Sequence, residues 1–79
     1  MNIEIYSKSN CAYCIKAKIT LQNYNPKILM LDDDYNMDDF FKKFPNAKTF
    51  PQIIINKKHV GGYMELKKWL EINPLDEDF

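Results

Sequence analysis

The chain has 79 residues, a formal net charge of zero and eleven basic residues, every one a lysine. This length makes one small domain with a thin core, expected to span residues 1–79, and a neutral chain without arginine is a poor nucleic-acid binder, because such proteins present a basic face and read bases with arginine. Met1-Asn2-Ile3-Glu4 lacks the charged and apolar regions of a signal peptide and no apolar run approaches bilayer length, so a reducing cytoplasm is expected, with neither membrane nor nucleic acid as partner.

Residues 2–6 alternate around Ile3 and Ile5 and read as a strand, followed by the loop Ser7-Lys8-Ser9-Asn10. Residues 12–23 lack glycine and proline and set Cys14, Ile15, Ala17, Ile19 and Leu21 on a broad apolar side, which predicts a helix. Asn25-Pro26 stops it, because the residue before proline avoids helical geometry. Ile28-Leu29-Met30-Leu31 is a continuous apolar run of the kind found in strands buried on both faces. Asp32-Asp33-Asp34 then leaves the core and reads as a solvated loop rather than a metal site.

Met37, Phe40, Phe41 and Phe44 recur at helical spacing. Asn36 suits the cap of that helix, Asp38 and Asp39 suit its first turn, and Pro45 ends it. Ile53-Ile54-Ile55 reads as another buried strand, Asn56-Lys57-Lys58 as a tight turn, and His59-Val60 as a short strand that Gly61-Gly62 breaks. Tyr63, Leu66, Trp69 and Leu70 mark one side of a last helix closed by Asn73-Pro74, with residues 73–79 a loose tail. Phe40, Phe41, Phe44, Phe50 and Trp69 are expected to supply much of the buried area.

The predicted order is β-α-β-α-β-β-α, an α/β fold. Strands flanking the first helix should be parallel with a right-handed crossover. The last two should form a hairpin, with helices on both faces of a four-stranded mixed sheet.

Cys11-Ala12-Tyr13-Cys14 holds the only two cysteines of the chain, at the junction of the first strand and first helix. The loop they would close is too short to constrain the unfolded chain much, so the pair reads as a redox dithiol rather than a staple. A thiol at a helix N-terminus faces unpaired N–H groups and the positive end of the dipole, both of which favour thiolate. Cys11 should be the more exposed sulfur, with Cys14 one turn further on the same side and Lys8 adding positive charge. A zinc site stays open as an alternative, with His59 the only other obvious ligand of the four that zinc wants, as do a structural disulfide and inert thiols.

Lys8 before Cys11-Ala12-Tyr13-Cys14, then Thr49-Phe50-Pro51-Gln52, then Gly61-Gly62-Tyr63 are three blocks whose order and spacing resemble the glutaredoxins, within the thioredoxin-fold superfamily, over roughly residues 3 to 70. The resemblance implies a thioredoxin fold and a glutathione-dependent disulfide oxidoreductase, with Cys11 the nucleophile and Cys14 the resolving thiol. It implies a cis bond before Pro51, beside the cysteines, leaving the Phe50 backbone free to pair with an extended substrate. Gly61-Gly62 would let glutathione approach the last helix, whose N–H groups at Met64 and Glu65 could take its γ-glutamyl carboxylate. Lys8 or Lys48, the latter beside Thr49, could take the glycine carboxylate, and Tyr13 could flank the thiol. His59 reads as a strand residue rather than a catalyst.

Four positions depart from the family pattern: Ala12 stands for proline, Phe50 for valine, Met64 for a small polar or acidic residue, and Asp38 for a glutamine. A free thiol of pKa about 8.5 is roughly 3% thiolate at neutral pH, so full ionisation gains only about 30-fold. The accompanying loss of nucleophilicity, at a Brønsted slope of about 0.45, offsets that gain. The benefit of a lowered Cys11 pKa is therefore expected when the thiolate leaves, as glutathione attacks its mixed disulfide.

The partners so implied are glutathione as reductant and disulfide-containing or glutathionylated proteins, ribonucleotide reductase being one candidate, with the chain a monomer and no metal required. Two other functions compete: a redoxin recharged by thioredoxin reductase that feeds ribonucleotide reductase, and a module binding a glutathione-ligated iron-sulfur cluster. Lys8, Tyr13 and Gly61-Gly62-Tyr63 favour the glutathione-dependent enzyme over the redoxin. Ala12 removes the rigidity of a proline and leaves the cluster as the lower-ranked alternative.

Overall fold

The computed structural model describes residues 1–73. Strand β1 is Ile3–Ser7, helix α1 Ala12–Leu21, β2 Lys27–Met30, α2 Met37–Lys43, β3 Gln52–Ile55, β4 Lys58–Gly61 and α3 Tyr63–Ile72. The strands form one sheet in the order β2-β1-β3-β4. β1 runs parallel to β2 and antiparallel to β3, and β3 and β4 make the hairpin. This is the thioredoxin-like α/β arrangement expected from the element order.

Strand side chains alternate between two separate cores, as the period of two requires. Ile3 and Ile5 of β1 and Ile53 and Ile55 of β3 pack with Ala17 and Leu21 of α1 and Leu66 of α3. Tyr6 and Ile54 point the other way, onto a cluster built on Tyr35, Phe40 and Phe44 that also receives Phe50. Phe40 carries this second core. Its ring contacts Phe44 at 5.3 Å and stacks on Phe50 at 4.5 Å.

The local signals hold at the element ends. Asn36 caps α2 by accepting the Asp39 N–H at 2.8 Å, while the Asp39 carboxylate accepts the Asn36 N–H at 3.3 Å, a capping box. Asn56 and Lys57, with φ of 51° and 70°, make the tight turn between β3 and β4. Asn73 closes α3 by donating its N–H to the Trp69 carbonyl at 2.7 Å. Of the tail, residues 74–79 lie outside the described residues.

Four expectations need correction. The run Ile28–Leu31 is not buried on both faces: β2 is Lys27–Met30, half-buried at the sheet edge, because only β1 pairs with it. Leu31 leaves the strand and bridges to Tyr35 across the aspartate turn. The helical stripe of α2 is narrower than its spacing suggested: Phe40 and Phe44 take the sheet, whereas Phe41 and Met37 face outward. Ile15 and Ile19 are likewise exposed on α1, whose buried side is Cys14, Ala17 and Leu21. The first helix also ends at Leu21, tightening into a 3₁₀ turn over Gln22–Tyr24 that stops at left-handed Asn25.

Candidate functional site

Cys11 is the N-cap of α1, in extended backbone conformation, and its sulfur accepts the Cys14 N–H at 3.2 Å. A sulfur thus occupies the position where a cap oxygen commonly satisfies an orphan N–H. Cys11 is disulfide-bonded to Cys14, with the Cα atoms 5.2 Å apart. Cys14 is fully buried and Cys11 only partly so, as the sequence led us to expect.

Against Cys11 lies the Phe50-Pro51 segment, whose peptide bond is cis. The Phe50 carbonyl oxygen is 3.8 Å from Cys11 Sγ; a disulfide sulfur carries no hydrogen, so this is a close approach rather than a hydrogen bond. The β1–β3 ladder begins only at Gln52, so Thr49 and Phe50 stand outside the sheet. Lys8 is exposed, and its ammonium sits 5.3 Å from the centre of the Phe50 ring, a cation–π contact. Phe50 is therefore in contact with both Lys8 and Phe40.

Beside the disulfide, a pocket of about 200 Å³ is lined by Tyr13, Thr49, Phe50, Gly62, Tyr63, Met64 and Glu65. It gathers six of the residues singled out in the sequence, from three distant segments. A larger groove of about 340 Å³ shares Thr49, Gly62 and Glu65 with it and adds Lys43, Lys48, Gln52 and His59. Lys48 thus lies in the neighbouring groove rather than in the pocket. Asp38, on the first turn of α2, lines neither.

At the start of α3, Glu65 turns back so that its Oε1 accepts the Gly62 N–H at 2.9 Å. Gly62 leaves little room: a Cβ there would lie 3.2 Å from Glu65 Oε1 and 3.4 Å from the Pro51 carbonyl oxygen. The exposed Met64 places an apolar side chain at the mouth.

Two residues of this region, Tyr63 and Gln52, are absent from the site that the sequence predicts. Tyr63, read as a core position, stacks on Tyr13 with ring centres 5.6 Å apart and lines the pocket; its place directly after Gly61-Gly62, as the first helical residue, was the available signal. Gln52 is buried and bonded to both Thr49 and His59. No local pattern announces that pairing, which needs the hairpin register. Among the described residues no group of three or more His, Cys, Asp and Glu side chains could hold a metal ion, so the zinc alternative finds no ligand set there. No described helix is long and apolar enough to cross a membrane.

The glutaredoxin family model matches residues 3–60. Glutaredoxin-1 of the fungus Rhizophagus irregularis is 41% identical over 69 residues, which cover 81% of this chain and 68% of that protein. The fold is similar to that of glutaredoxin 1 from Francisella tularensis complexed with cacodylate, with a TM-score of 0.75 at 27% identity, over 91% of this chain and 94% of that one. A buckwheat glutaredoxin–glutathione complex matches with a TM-score of 0.74 over 90% of this chain and 69% of its own, at 21% identity, and so bears on the fold alone.

Proposed function

The chain belongs to the glutaredoxin family of glutathione-dependent thiol-disulfide oxidoreductases, and we propose that it reduces protein disulfides and protein–glutathione mixed disulfides through Cys11 and Cys14. The observation that carries this reading is the unequal access of the two sulfurs: Cys14 is fully buried, whereas Cys11 is partly open and receives the Cys14 N–H.

In the dithiol route, the Cys11 thiolate attacks one sulfur of a protein disulfide and the first protein thiolate leaves. Cys14, as thiolate, then attacks the Cys11 sulfur, closing the Cys11–Cys14 disulfide and releasing the second protein thiolate. Each released thiolate takes a proton from solvent. Two glutathione thiols reopen the Cys11–Cys14 disulfide and become glutathione disulfide. With a glutathionylated protein, Cys11 attacks the glutathionyl sulfur and the protein thiolate leaves. A second glutathione thiolate attacks that same sulfur, giving glutathione disulfide and restoring Cys11. The backbone N–H at Cys11 Sγ and the α1 dipole favour its departure as thiolate.

Glutathione would lie in the pocket beside the disulfide, against Tyr13, Thr49, Phe50 and Pro51. Its γ-glutamyl carboxylate would meet the N–H groups of Met64 and Glu65 next to Gly62, and its glycine carboxylate Lys8 or Lys48. What supports this is the pocket lining, the helix terminus behind it and the two lysines flanking it. We read the chain as a single unit acting as a monomer in a reducing cytoplasm.

The test is glutathione-dependent reduction of a small glutathione mixed disulfide, coupled to glutathione reductase. Activity should vanish in Cys11→Ser and partly survive in Cys14→Ser. An inactive wild type, or a Cys11→Ser variant that still turns over, overturns the reading.

A further inference from the structure

We propose that Gln52 and His59 are positioning residues that hold the Thr49–Phe50 wall of the pocket in place; this rests on reading that pocket as the glutathione site. Gln52 is only 4% exposed, and a buried amide must find partners for both its ends. Its Nε2 donates to the Thr49 carbonyl at 2.9 Å. Its Oε1 lies 2.7 Å from His59 Nε2. A carbonyl only accepts, so the amide can face Thr49 only with its NH₂ group. Oε1 must then face His59, and His59 must carry its proton on Nε2. The imidazole ring is in turn held against Phe44, with ring centres 4.7 Å apart.

The result is a tether running from β4 through β3 to the loop: His59 fixes the Gln52 amide, and the amide fixes the Thr49 carbonyl. Its far end is the wall of the site. Thr49 and Phe50 precede the first ladder residue of β3, so the sheet does not hold them. Yet the Phe50 carbonyl is 3.8 Å from Cys11 Sγ, and Thr49 Oγ1 is 3.5 Å from where a Cβ on Gly62 would stand. Small displacements of such a wall misplace whatever binds between it and the thiol, and misplacement is expensive in binding and rate. Both outer ends of the tether, Thr49 and His59, are solvent-exposed residues. Water can therefore satisfy the groups freed when the central amide is removed, and the cost falls on position more than on stability.

The experiment compares Gln52→Met, which fills similar volume without hydrogen bonds, with His59→Leu and His59→Gln, the last keeping an N–H donor. Steady-state kinetics with a small glutathione mixed disulfide should show KM raised about five- to tenfold in Gln52→Met, with kcat within about twofold of wild type. His59→Leu should move KM the same way by less, and His59→Gln should restore it. Nitrogen-15 spectra of the wild type should show the neutral imidazole protonated on Nε2. In Gln52→Met, the amide signals of Thr49 and Phe50 should shift while those of Ile53 to Ile55 change little. A wild-type KM in Gln52→Met, a stability loss without a KM change, or an Nδ1–H tautomer overturns the proposal. A wild type that does not turn over the mixed disulfide defeats the glutathione reading instead. The spectra then decide the tether on their own, and unmoved Thr49 and Phe50 amides defeat it.

Discussion

The Tyr35 hydroxyl donates to the main-chain carbonyl of Ser7, 28 positions earlier, at 2.6 Å in the protein interior. Ser7 is the last residue of β1, and the loop carrying Lys8 and Cys11 departs from it. One phenol in the turn before α2 thus anchors the strand end from which the redox loop starts, and Tyr35 also contacts Tyr6 edge-on at 5.2 Å.

Burial first, then the nearby Tyr6, Asp32 and Asp34, pushes the Tyr35 pKa from 10.0 up to about 12. Tyr6 moves in the same direction, through burial and then Glu4. A phenol whose folded-state pKa is raised keeps its proton in the folded chain after the unfolded chain has lost it. Its contribution to stability is therefore complete below about pH 10 and is lost as pH rises through 12. Tyr35→Phe should lower stability at pH 7 by about 1 kcal/mol, because the Ser7 carbonyl keeps its second donor, the Leu31 N–H at 2.9 Å. It should also flatten the fall in stability above pH 10. Urea unfolding from pH 7 to 11.5 checks both, and parallel pH curves for the two proteins would refute the second.

Gly62→Ala should weaken substrate binding more than it weakens the fold. The backbone of Gly62 has φ of −87°, which alanine adopts without strain. The added methyl meets Glu65 Oε1 at 3.2 Å, which can swing away, and the Pro51 carbonyl at 3.4 Å, which has less freedom. KM for a glutathione mixed disulfide should rise about threefold or more, with kcat nearly unchanged. A collapse of kcat at constant KM would place the effect elsewhere.

Lys57→Gly should stabilise the protein. Lys57 sits at φ of 70° in the β3–β4 turn, where a side chain costs roughly 1–2 kcal/mol relative to the right-handed region. Glycine removes that cost and returns part of it through the greater freedom of the unfolded chain. The expected net gain is about 0.5–1 kcal/mol by denaturant unfolding. An unchanged or lower midpoint would show that the turn accommodates lysine without penalty.

Element order, the α2 cap at Asn36, the turn at Asn56-Lys57 and the three blocks that mark the family were legible because each is written in neighbouring residues. Cys11 and Cys14 needed no tertiary information beyond a helix start. Edge or centre was not legible for Ile28–Met30, since it depends on which strands come to lie beside β1. The outward turn of Phe41 was hidden for a related reason: the four apolar side chains of this short helix and its cap cannot all reach one sheet, and Phe40 and Phe44 take the places closest to it. The Tyr35–Ser7 and Gln52–His59 bonds join residues whose proximity exists only after the sheet has closed.

The two cores lie on opposite sides of the sheet, and the redox site straddles the line between them. Cys11 heads α1, whose inner side belongs to the aliphatic core with Ala17 and Leu21. Phe50 belongs to the aromatic core, stacked on Phe40. The two walls of the cleft are therefore mounted on separate foundations. Repacking around Phe40 would shift Phe50 through their ring stack, while repacking around Ala17 would shift α1 and with it Cys11 and Tyr13. One small chain thus offers two separate places from which the shape of the cleft can be adjusted.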